Sequence, residues 1–528
     1  MAITTGQRFV RSQVAARSTT SNTTAADITY DTAEISEGGY SWSSPEVTVD
    51  TAGLYLYIGD IGQVDIASTR AVGTHVPTIN GVLQTPIGLA SHRYLRNSGG
   101  TEGASIGMGI LDVPLNGSIK VRNPGNAYNS SHFIDHLGNY ATRVNYGGGI
   151  QLIKLPEGNL TQLIRNNSNA DVVGISNINT TRPWIDSSGV WEKLTWGTKS
   201  RDDDNLAANL DGDIVLKANK KYIIVWGASH YSTDSSRHTY VTALNIAGIR
   251  VQTASGYQRT TASQGPPHSG MYLHETEGST ETIFLEATQE TEGADAGNPQ
   301  FRNGFIQVLE LPNTAEWIHA DNGATDSMTS VLTGTGTYTN TPLSSTFRAD
   351  GDSNLSLDGA NNAIQNDSGG DMSVLAVGYH RWDRNSGASG TRKMPWAMFN
   401  NNGSRLSYGI AGAFNRGQQG ADDNFQSHYV SVATLTLADS ADLTFQVNDP
   451  ASSNNANMGI YASTNRHFLG VQVLDLSSLE VAVGITGQAK IWNGSQQEAK
   501  VVKEWNGTSW EIKPTKYWNG TSWIETPY

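Results

Sequence analysis

Three stretches of the chain end in nearly the same way, and this repetition constrains the fold more than any other feature. The stretches are GGGIQLIKLP at 147–156, GFIQVLELP at 304–312 and HFLGVQVLDL at 467–476. Each is an alternating apolar strand that follows a glycine or an aromatic residue. They lie about 160 residues apart, and self-similarity at a regular spacing indicates a repeated unit.

The pieces between these stretches recur in the same order. Each unit has a dense apolar strand, then a hairpin around Asn or Gly, then a strand, a short turn and a strand. The apolar strands are Leu54–Ile58, Tyr222–Trp226 and Met372–Val377, the hairpins are 74–85, 239–253 and 393–409, and the last pieces are 104–123, 269–288 and 428–449.

This order predicts an all-β chain of three tandem jelly-roll β-sandwich domains and a short hairpin-repeat tail. The predicted domain limits are 1–157, 158–313 and 314–478, and the tail covers 479–528. The 56 glycines in 528 residues and the scarcity of helix formers agree with many short strands and turns.

Charge and composition exclude several classes of partner and of binding site. A net charge of −14 repels phosphates, so we expect no nucleic-acid partner. Cysteine is absent, which rules out disulfides and thiolate metal sites. No apolar run approaches the ~20 residues of a membrane helix, so we expect no membrane insertion. The N-terminus lacks the pattern of a secretory signal, which favours synthesis in the cytoplasm.

Residues 28–57 carry a family resemblance. In order they contain Ile28-Thr29-Tyr30-Asp31, whose alternation predicts a half-buried strand, then Gly38-Gly39-Tyr40, Val47-Thr48-Val49 and Ala52-Gly53-Leu54-Tyr55-Leu56. This stretch resembles the globular-head family of complement and the related tumour-necrosis-factor-like jelly rolls. The closing strands after Gly149 and Gly304 are similar to the closing strand of that family. The third unit has Met372-Ser373-Val374 in place of the Gly-Tyr pair and matches least.

The resemblance implies ten-stranded jelly rolls that assemble around a threefold axis through an apolar flank, and binding modules instead of enzymes. Three units in one chain could form an intrachain pseudo-trimer. Each unit could equally pair with its counterparts in two other chains, which would give a homotrimer. The sequence leaves both arrangements open.

The tail repeats with a period of 13 residues: KIWNGSQQEAKVV, KEWNGTSWEIKPT and KYWNGTSWIETPY begin at Lys490, Lys503 and Lys516. Asn-Gly between apolar residues predicts hairpins. The repeats resemble those that close many bacteriophage virion proteins, including tail and capsid-fibre proteins. We predict that the tail tryptophans serve assembly or interaction, with stacking on sugar rings as the alternative. They are Trp492, Trp505, Trp510, Trp518 and Trp523.

Two sets of polar residues are candidate metal sites. His132 and His136 share one face of a predicted strand and Asp135 lies on the other, so an ordinary surface strand is favoured. Two acidic loops could attract calcium, but in the one beginning at Asp350 a leucine, Leu355, replaces the turn glycine and the bidentate glutamate is missing. The loop residues are Asp350, Asp352, Asn354 and Asp358, and Asp202, Asp203, Asp204, Asp211 and Asp213.

We therefore predict no catalytic, cofactor-binding or metal-binding residues and no cofactor. The predicted function is that of a non-enzymatic bacteriophage virion protein, a capsid fibre, a decoration protein or a tail-associated protein, made in the host bacterial cytoplasm. Its predicted partners are other virion proteins. One alternative is a receptor-binding tail fibre that recognises a host surface glycan, and another is a capsule depolymerase.

Overall fold

The computed structural model divides the protein into two compact units, Met1–Leu479 and Glu480–Tyr528. The domain limits predicted inside the first unit stay predictions. The structure describes the chain except for residues 1–2, 13–17, 22–24, 66–69, 97–101, 125–132, 137–147, 167–190, 208, 233–236, 260–262, 265–266, 292–299, 323–326, 333–337, 350–353, 385–391, 394–395, 413–414, 417–426, 449–457, 463–468, 481–487, 493–496, 502, 506–509, 513–515, 519–522 and 526–528.

The first sandwich consists of two antiparallel sheets. The inner sheet has the order β4-β1-β14-β7-β11, with β13 and β2 continuing beside the far end of β7, and the outer sheet has the order β10-β8-β12-β6-β5. The strands are β1 (Arg8–Ser12), β2 (Ser18–Ser21), β3 (Ala26–Asp27), β4 (Thr32–Ser36), β5 (Tyr40–Ser43), β6 (Glu46–Val49), β7 (Gly53–Asp65), β8 (Arg70–Ile79), β9 (Val82–Leu83), β10 (Ala90–Arg96), β11 (Glu102–Val113), β12 (Ser118–Asn123), β13 (Phe133–His136) and β14 (Gly148–Lys154).

The second sandwich repeats this plan. Its inner sheet has the order β17-β15-β25-β19-β23, and β21-β20-β24 forms the outer sheet. The strands are β15 (Leu160–Asn166), β16 (Glu192–Lys193), β17 (Thr198–Asp202), β18 (Ile214–Leu216), β19 (Lys221–Ser232), β20 (Arg237–Ile246), β21 (Ile249–Arg259), β22 (Ser263–Gln264), β23 (His268–Glu275), β24 (Glu281–Thr291) and β25 (Gln300–Leu311).

The third sandwich has an inner sheet β29-β26-β41-β32-β38 and an outer sheet β35-β34-β39-β31-β30. A short 3-10 helix, Ser477–Leu479, follows it. The strands are β26 (Glu316–Asp321), β27 (Ser327–Leu332), β28 (Tyr338–Asn340), β29 (Ser345–Ala349), β30 (Leu355–Asp358), β31 (Ala363–Asn366), β32 (Met372–Arg384), β33 (Arg392–Lys393), β34 (Trp396–Asn401), β35 (Ser404–Arg405), β36 (Ala411–Gly412), β37 (Asn415–Arg416), β38 (Ser427–Leu437), β39 (Asp442–Asn448), β40 (Met458–Ala462) and β41 (Leu469–Asp475).

The tail forms three separate two-stranded hairpins. They are β42 (Gln488–Trp492) with β43 (Gln497–Val501), β44 (Lys503–Trp505) with β45 (Trp510–Ile512), and β46 (Lys516–Trp518) with β47 (Trp523–Glu525). The predicted fold class, three tandem jelly rolls and a hairpin tail in an all-β chain, is therefore confirmed. Among the residues described, no helix is long and apolar enough to cross a membrane.

The three hairpins predicted inside the sandwiches all form around two-residue turns with positive φ at both positions. The turns are Asn80-Gly81 (φ 51° and 80°), Ala247-Gly248 (51° and 84°) and Asn402-Gly403 (46° and 86°). Such turns match the right-handed twist of the flanking strands, which is why Asn-Gly is a strong hairpin signal.

Gly81→Ala should lower the free energy of unfolding by about 1–2 kcal/mol, because the turn holds Gly81 in the left-handed region that an L side chain disfavours. A Cβ there would meet no atom within 4 Å, so backbone strain is the whole effect. The control is Gly359→Ala, which also has open space but no positive φ. Urea unfolding of both variants measures the difference, and equal midpoints would contradict the turn assignment.

One predicted strand is wrong in detail. Ile28-Thr29-Tyr30-Asp31 was expected to be a strand, whereas β3 ends at Asp27 and β4 begins at Thr32. Between them the chain crosses the sandwich: the Ile28 N–H donates to Val121 O of the outer sheet (2.8 Å) and the Asp31 N–H to Ser12 O of the inner sheet (3.1 Å). Ile28 and Tyr30 are still buried, so their alternation in the sequence reflects burial in the core and not hydrogen-bond pairing between strands.

The central strands of the inner sheets are buried on both faces. Every residue of Leu54–Ile58 and of Tyr222–Trp226 is at most 5% exposed. One face covers the sandwich core, and from β7 Asp60 reaches Ile410 of the third sandwich. A strand that is buried on both faces needs a continuous apolar run, which explains why these segments do not alternate.

Candidate functional site: the interface between the sandwiches

Three buried glutamines occupy the same position in the three closing strands. Gln151 in β14, Gln307 in β25 and Gln472 in β41 each lie opposite the central strand, at Ile58, Val225 and Val377. All three side chains are fully buried. Each points away from its own core and toward an edge strand of another sandwich, as the hydrogen bonds below show.

Each glutamine pairs with backbone groups of its neighbour. Gln307 accepts from the Ile110 N–H (2.8 Å) and donates to Ile110 O (2.7 Å). Gln472 does the same with Leu273, at 2.9 Å for both bonds. Gln151 accepts from the Thr434 N–H (2.8 Å) and donates to Val432 O (3.2 Å).

These bonds give partners to backbone groups on the open side of three edge strands. The receiving strands β11, β23 and β38 each pair with one neighbour in their inner sheet, so their outward N–H and C=O groups need other partners. A buried backbone group without a hydrogen bond is costly. A primary amide carries both a donor and an acceptor, and a single glutamine can therefore satisfy both groups.

The contacts close a ring. The first sandwich reaches the third through Gln151, the third reaches the second through Gln472, and the second reaches the first through Gln307. The inner sheets of the three sandwiches therefore contact one another within one chain.

The junction between the first and third sandwiches differs from the other two, because no short linker joins them. Gly6 and Leu476 meet there instead. A Cβ on Gly6 would lie 2.6 Å from Leu476 O, and the φ of Gly6 is +82°, so both space and backbone conformation require glycine. Two further buried side chains, Arg8 and Asp60, form hydrogen bonds across this junction.

The first is Arg8, which is 2% exposed and lies at the start of β1. Its guanidinium forms an ion pair with Glu37 of the same sandwich. It also donates to Leu435 O and, at 3.0 Å, to Thr436 Oγ1 of the third sandwich. The guanidinium fork thereby satisfies carbonyl and hydroxyl groups at the end of edge strand β38.

The second is Asp60 in β7, which is fully buried. Its Oδ1 accepts from the Gly149 N–H (2.9 Å), and its Oδ2 accepts from the Ile410 N–H of the third sandwich (3.1 Å). Burial raises the pKa of Asp60 to about 7, although the backbone donors Gly409, Ile410 and Gly149 oppose the shift by stabilising the carboxylate. Asp60 therefore titrates near neutral pH.

A cavity of about 40 Å³ lies where all three sandwiches meet. A buried water needs roughly 10–15 Å³, so the cavity has room for about three. Its polar side chains are hydroxyls and imidazoles. The cavity is lined by Ser105, Ile106, Ala254, Ser255, Pro267, His268, Ser269, Ala411, Gly412, His428, Tyr429 and Val430.

The imidazoles near this cavity are held by hydroxyls. His268 Nε2 and His230 Nε2 lie 2.8 and 3.0 Å from Thr242 Oγ1, and His428 Nδ1 lies 2.7 Å from Thr253 Oγ1. Burial, and secondarily His268, lowers the pKa of His230, and burial lowers the pKa of His380 in the third sandwich to about 3. We therefore expect His230 and His380 to be uncharged at neutral pH.

The predicted acidic loop of the second sandwich is tied into the fold. Asp202 accepts from Thr161 Oγ1 (2.9 Å) and the Leu206 N–H (2.8 Å). Three further carboxylates pair with cations: Asp203 with Arg201, Asp204 with Lys217 and Asp213 with Lys193. Each of these contacts stabilises the loop itself.

The other candidate metal ligands are scattered. Asp358 caps a turn by accepting from the Ala360 N–H (2.9 Å), while Asn354 hydrogen-bonds through its backbone carbonyl to the Asp367 N–H. Asp350, Asp352 and His132 lie outside the described residues, and Asp135 and His136 lie in β13. In the described part of the chain no group of three or more His, Asp or Glu residues could hold a metal ion.

The strand register of the tail places tryptophans opposite each other in two hairpins. Trp505 faces Trp510 across the ladder, and Trp518 faces Trp523. Trp492 lies opposite Gln497. Directly opposite residues on a two-stranded ribbon are the pairs that stabilise it, so the second and third repeats share a feature that the first lacks.

The three glutamines were missed from the sequence, although a signal was present. Each closing strand carries glutamine at the corresponding place, in IQL, IQV and VQV. In an alternating strand a polar residue is predicted to face solvent. Repetition of the same polar residue in three otherwise apolar strands was the sign that it had a shared buried partner.

No family model and no curated protein matches the chain. Among solved structures, one described as "The Triple Jelly Roll Fold and Turret Assembly in an Archaeal Virus" aligns over 88% of this chain and 91% of that chain, at 10% identity and a TM-score of 0.16. "Structure of PNGF-II in C2 space group" aligns over 80% and 98%, at 7% identity and a TM-score of 0.22. Scores this low carry no argument about function.

Proposed function

We propose that the protein is a non-enzymatic structural component of a bacteriophage virion, located in the particle as a capsid fibre, decoration or tail-associated protein. The observation that carries the proposal is the ring of buried glutamine contacts. Polar groups that are buried and fully paired fix three domains in one arrangement. Such a body suits a mechanical role that depends on protein–protein assembly.

The burial of the side chains whose pKa values are shifted supports a non-enzymatic role. An active site brings perturbed groups into a cleft that a substrate can enter. Here Asp60, His230 and His380 are at most 2% exposed, and each lies in an interface or a core. These three side chains, whose pKa values are shifted mainly by burial, therefore lie away from solvent.

We further propose that the three sandwiches of one chain form an intrachain pseudo-trimer and that the chain does not trimerise with other chains. The inner-sheet flanks that could bind two other chains are occupied by the second and third copies within the same chain. We expect sedimentation of the full chain at micromolar concentration to give the monomer mass of 56.7 kDa. A trimer mass would show that other surfaces drive assembly.

The tail supports attachment to other virion proteins. Trp is enriched at the centres of protein interfaces, and isolated two-stranded hairpins are marginal in water unless they pack on something else. The alternative, a receptor-binding fibre, predicts glycan-array binding that disappears when 479–528 is deleted. The depolymerase alternative predicts release of reducing sugar from host capsule.

Mass spectrometry of purified virions is the decisive test. We expect peptides of this chain in particles that have been banded twice in a density gradient, at a fixed ratio to the major capsid protein. The ratio should survive a high-salt wash that removes adsorbed host proteins. Absence of the chain from such particles would refute the virion role.

A further inference from the structure

One end of each sandwich is built from short turns. Strand registers place the starts of β7, β19 and β32 at this end, together with the ends of the closing strands, because Lys154 pairs with Tyr55, Leu311 with Lys221 and Asp475 with Val374. We call it the turn end. Its turns are 80–81, 114–117, 247–248, 276–280, 402–403 and 438–441.

The three turn ends face the same side of the ring. Contacts between sandwiches join residues that both lie at turn ends. Asp112, one residue before the end of β11, forms an ion pair with Arg201 near the end of β17. Arg8, at the turn end of the first sandwich, reaches Leu435 near the end of β38. The ring therefore presents one composite surface of short turns.

This surface carries the exposed apolar side chains. Val82 and Ile249 are each 65% exposed and directly follow the glycines of their hairpin turns, and Leu115 is 62% exposed in its turn. Leu83 and Val215 are also exposed there. Of the large hydrophobic residues that are exposed in the described chain, only Leu210 lies elsewhere, in the loop before β18.

The third sandwich differs. The residue after its hairpin glycine is Ser404, and its turns carry carboxylates. Asp367, Asp371 and Asp439 are exposed, and Asp358 and Asp442 are partly exposed. Within the described residues none of these five carboxylates forms an ion pair with a cationic side chain. Nearby, the Arg405 guanidinium donates to Gln446 (3.0 Å) and stacks on Tyr338.

We propose that the turn end is the docking face for a protein partner that offers apolar pockets to the first two sandwiches and Lys or Arg side chains to the third. The proposal deepens the proposed function, on which it rests, by naming the surface that contacts the particle. Interfaces combine apolar anchors with charge complementarity at the rim. These carboxylates, which form no ion pair within the described residues, would repel nucleic acid and an anionic membrane, so a basic protein surface is the matching partner.

Hydroxyl-radical footprinting of the free chain and of purified virions tests this directly. We expect labelling of Val82, Leu115 and Ile249 to fall at least fivefold in the particle. Leu210 is the matched control and should keep its labelling within a factor of two. If the chain is absent from virions, the proposed function fails. If the chain is present and the three residues stay labelled, the docking face is elsewhere and the function stands.

Surface variants give a second test. Val82→Lys with Ile249→Lys should reduce incorporation into particles at least tenfold, because lysine does not fit an apolar pocket, whereas Leu210→Lys should incorporate normally. All three positions are exposed, so unfolding midpoints should match that of the wild type. Asp367→Lys with Asp439→Lys should also reduce incorporation. Normal incorporation of the first double variant, or tight binding of the free wild-type chain to anionic vesicles or DNA, would overturn the proposal.

Discussion

Gln472→Leu should lower the free energy of unfolding by about 2–6 kcal/mol, because it leaves the N–H and C=O of Leu273 buried without partners, at about 1–3 kcal/mol each. Leucine has a similar size, so the loss comes from hydrogen bonding and not from a cavity. Urea unfolding of the full chain measures the change.

The control for this variant is Gln365→Leu in the same sandwich. Gln365 makes one surface hydrogen bond, to Ser440 O at 3.3 Å, and its replacement should cost less than ~0.5 kcal/mol. Because Gln472 joins the third sandwich to the second, its replacement should also expose the linker at 312–315 to protease. Equal stability of the two variants would show that the glutamine ring does not hold the sandwiches together.

The second large effect is a pH dependence at Asp60. In the folded state its pKa is about 7, against a usual value of 3.8. The folded state therefore binds this proton more tightly than the unfolded state. The resulting stabilisation is fully present below pH ~4, decreases as pH rises, and is lost above pH ~7. A difference of about three pKa units corresponds to about 4 kcal/mol.

Asp60→Asn removes this titration. We expect the gap in unfolding free energy between wild type and variant to move by about 4 kcal/mol in favour of the variant between pH 4 and pH 7. Tyr30 and Tyr57 face the same carboxylate, but burial raises the pKa of both tyrosines, so neither titrates in this window. Gln365→Leu, which replaces no titratable group, is the control and should show a constant gap. A constant gap for Asp60→Asn as well would contradict the assignment.

Much of the local structure followed from the sequence. Asn-Gly turns require positive φ at both positions, and the hairpins at Asn80-Gly81 and Asn402-Gly403 form as predicted. The dense apolar strands also form, because few other structures can bury such runs. The strand predicted at Ile28–Asp31 does not form, because alternation indicates which residues face the core and not which backbone groups form hydrogen bonds.

The interface could not be predicted in the same way. Gln151 lies in a strand whose sequence is equally compatible with an outer face in water, and nothing local marks that face as covered. Asp60 likewise looks like a polar break in a strand. What buries both residues is the third sandwich, through segments more than 250 residues away in the chain.

The sequence by itself determined the repeat, the order of strands and hairpins along the chain, the Asn-Gly turns and the hairpin tail, since these depend on periodicity and backbone preferences that act over a few residues. The tertiary structure alone decided that three sandwiches close on one another within the chain, that glutamines satisfy the edge strands, and that a carboxylate is buried at the junction of the first and third sandwiches. The physical reason is that burial and hydrogen-bond pairing depend on which distant surfaces meet, and a strand sequence specifies its own faces but not what covers them.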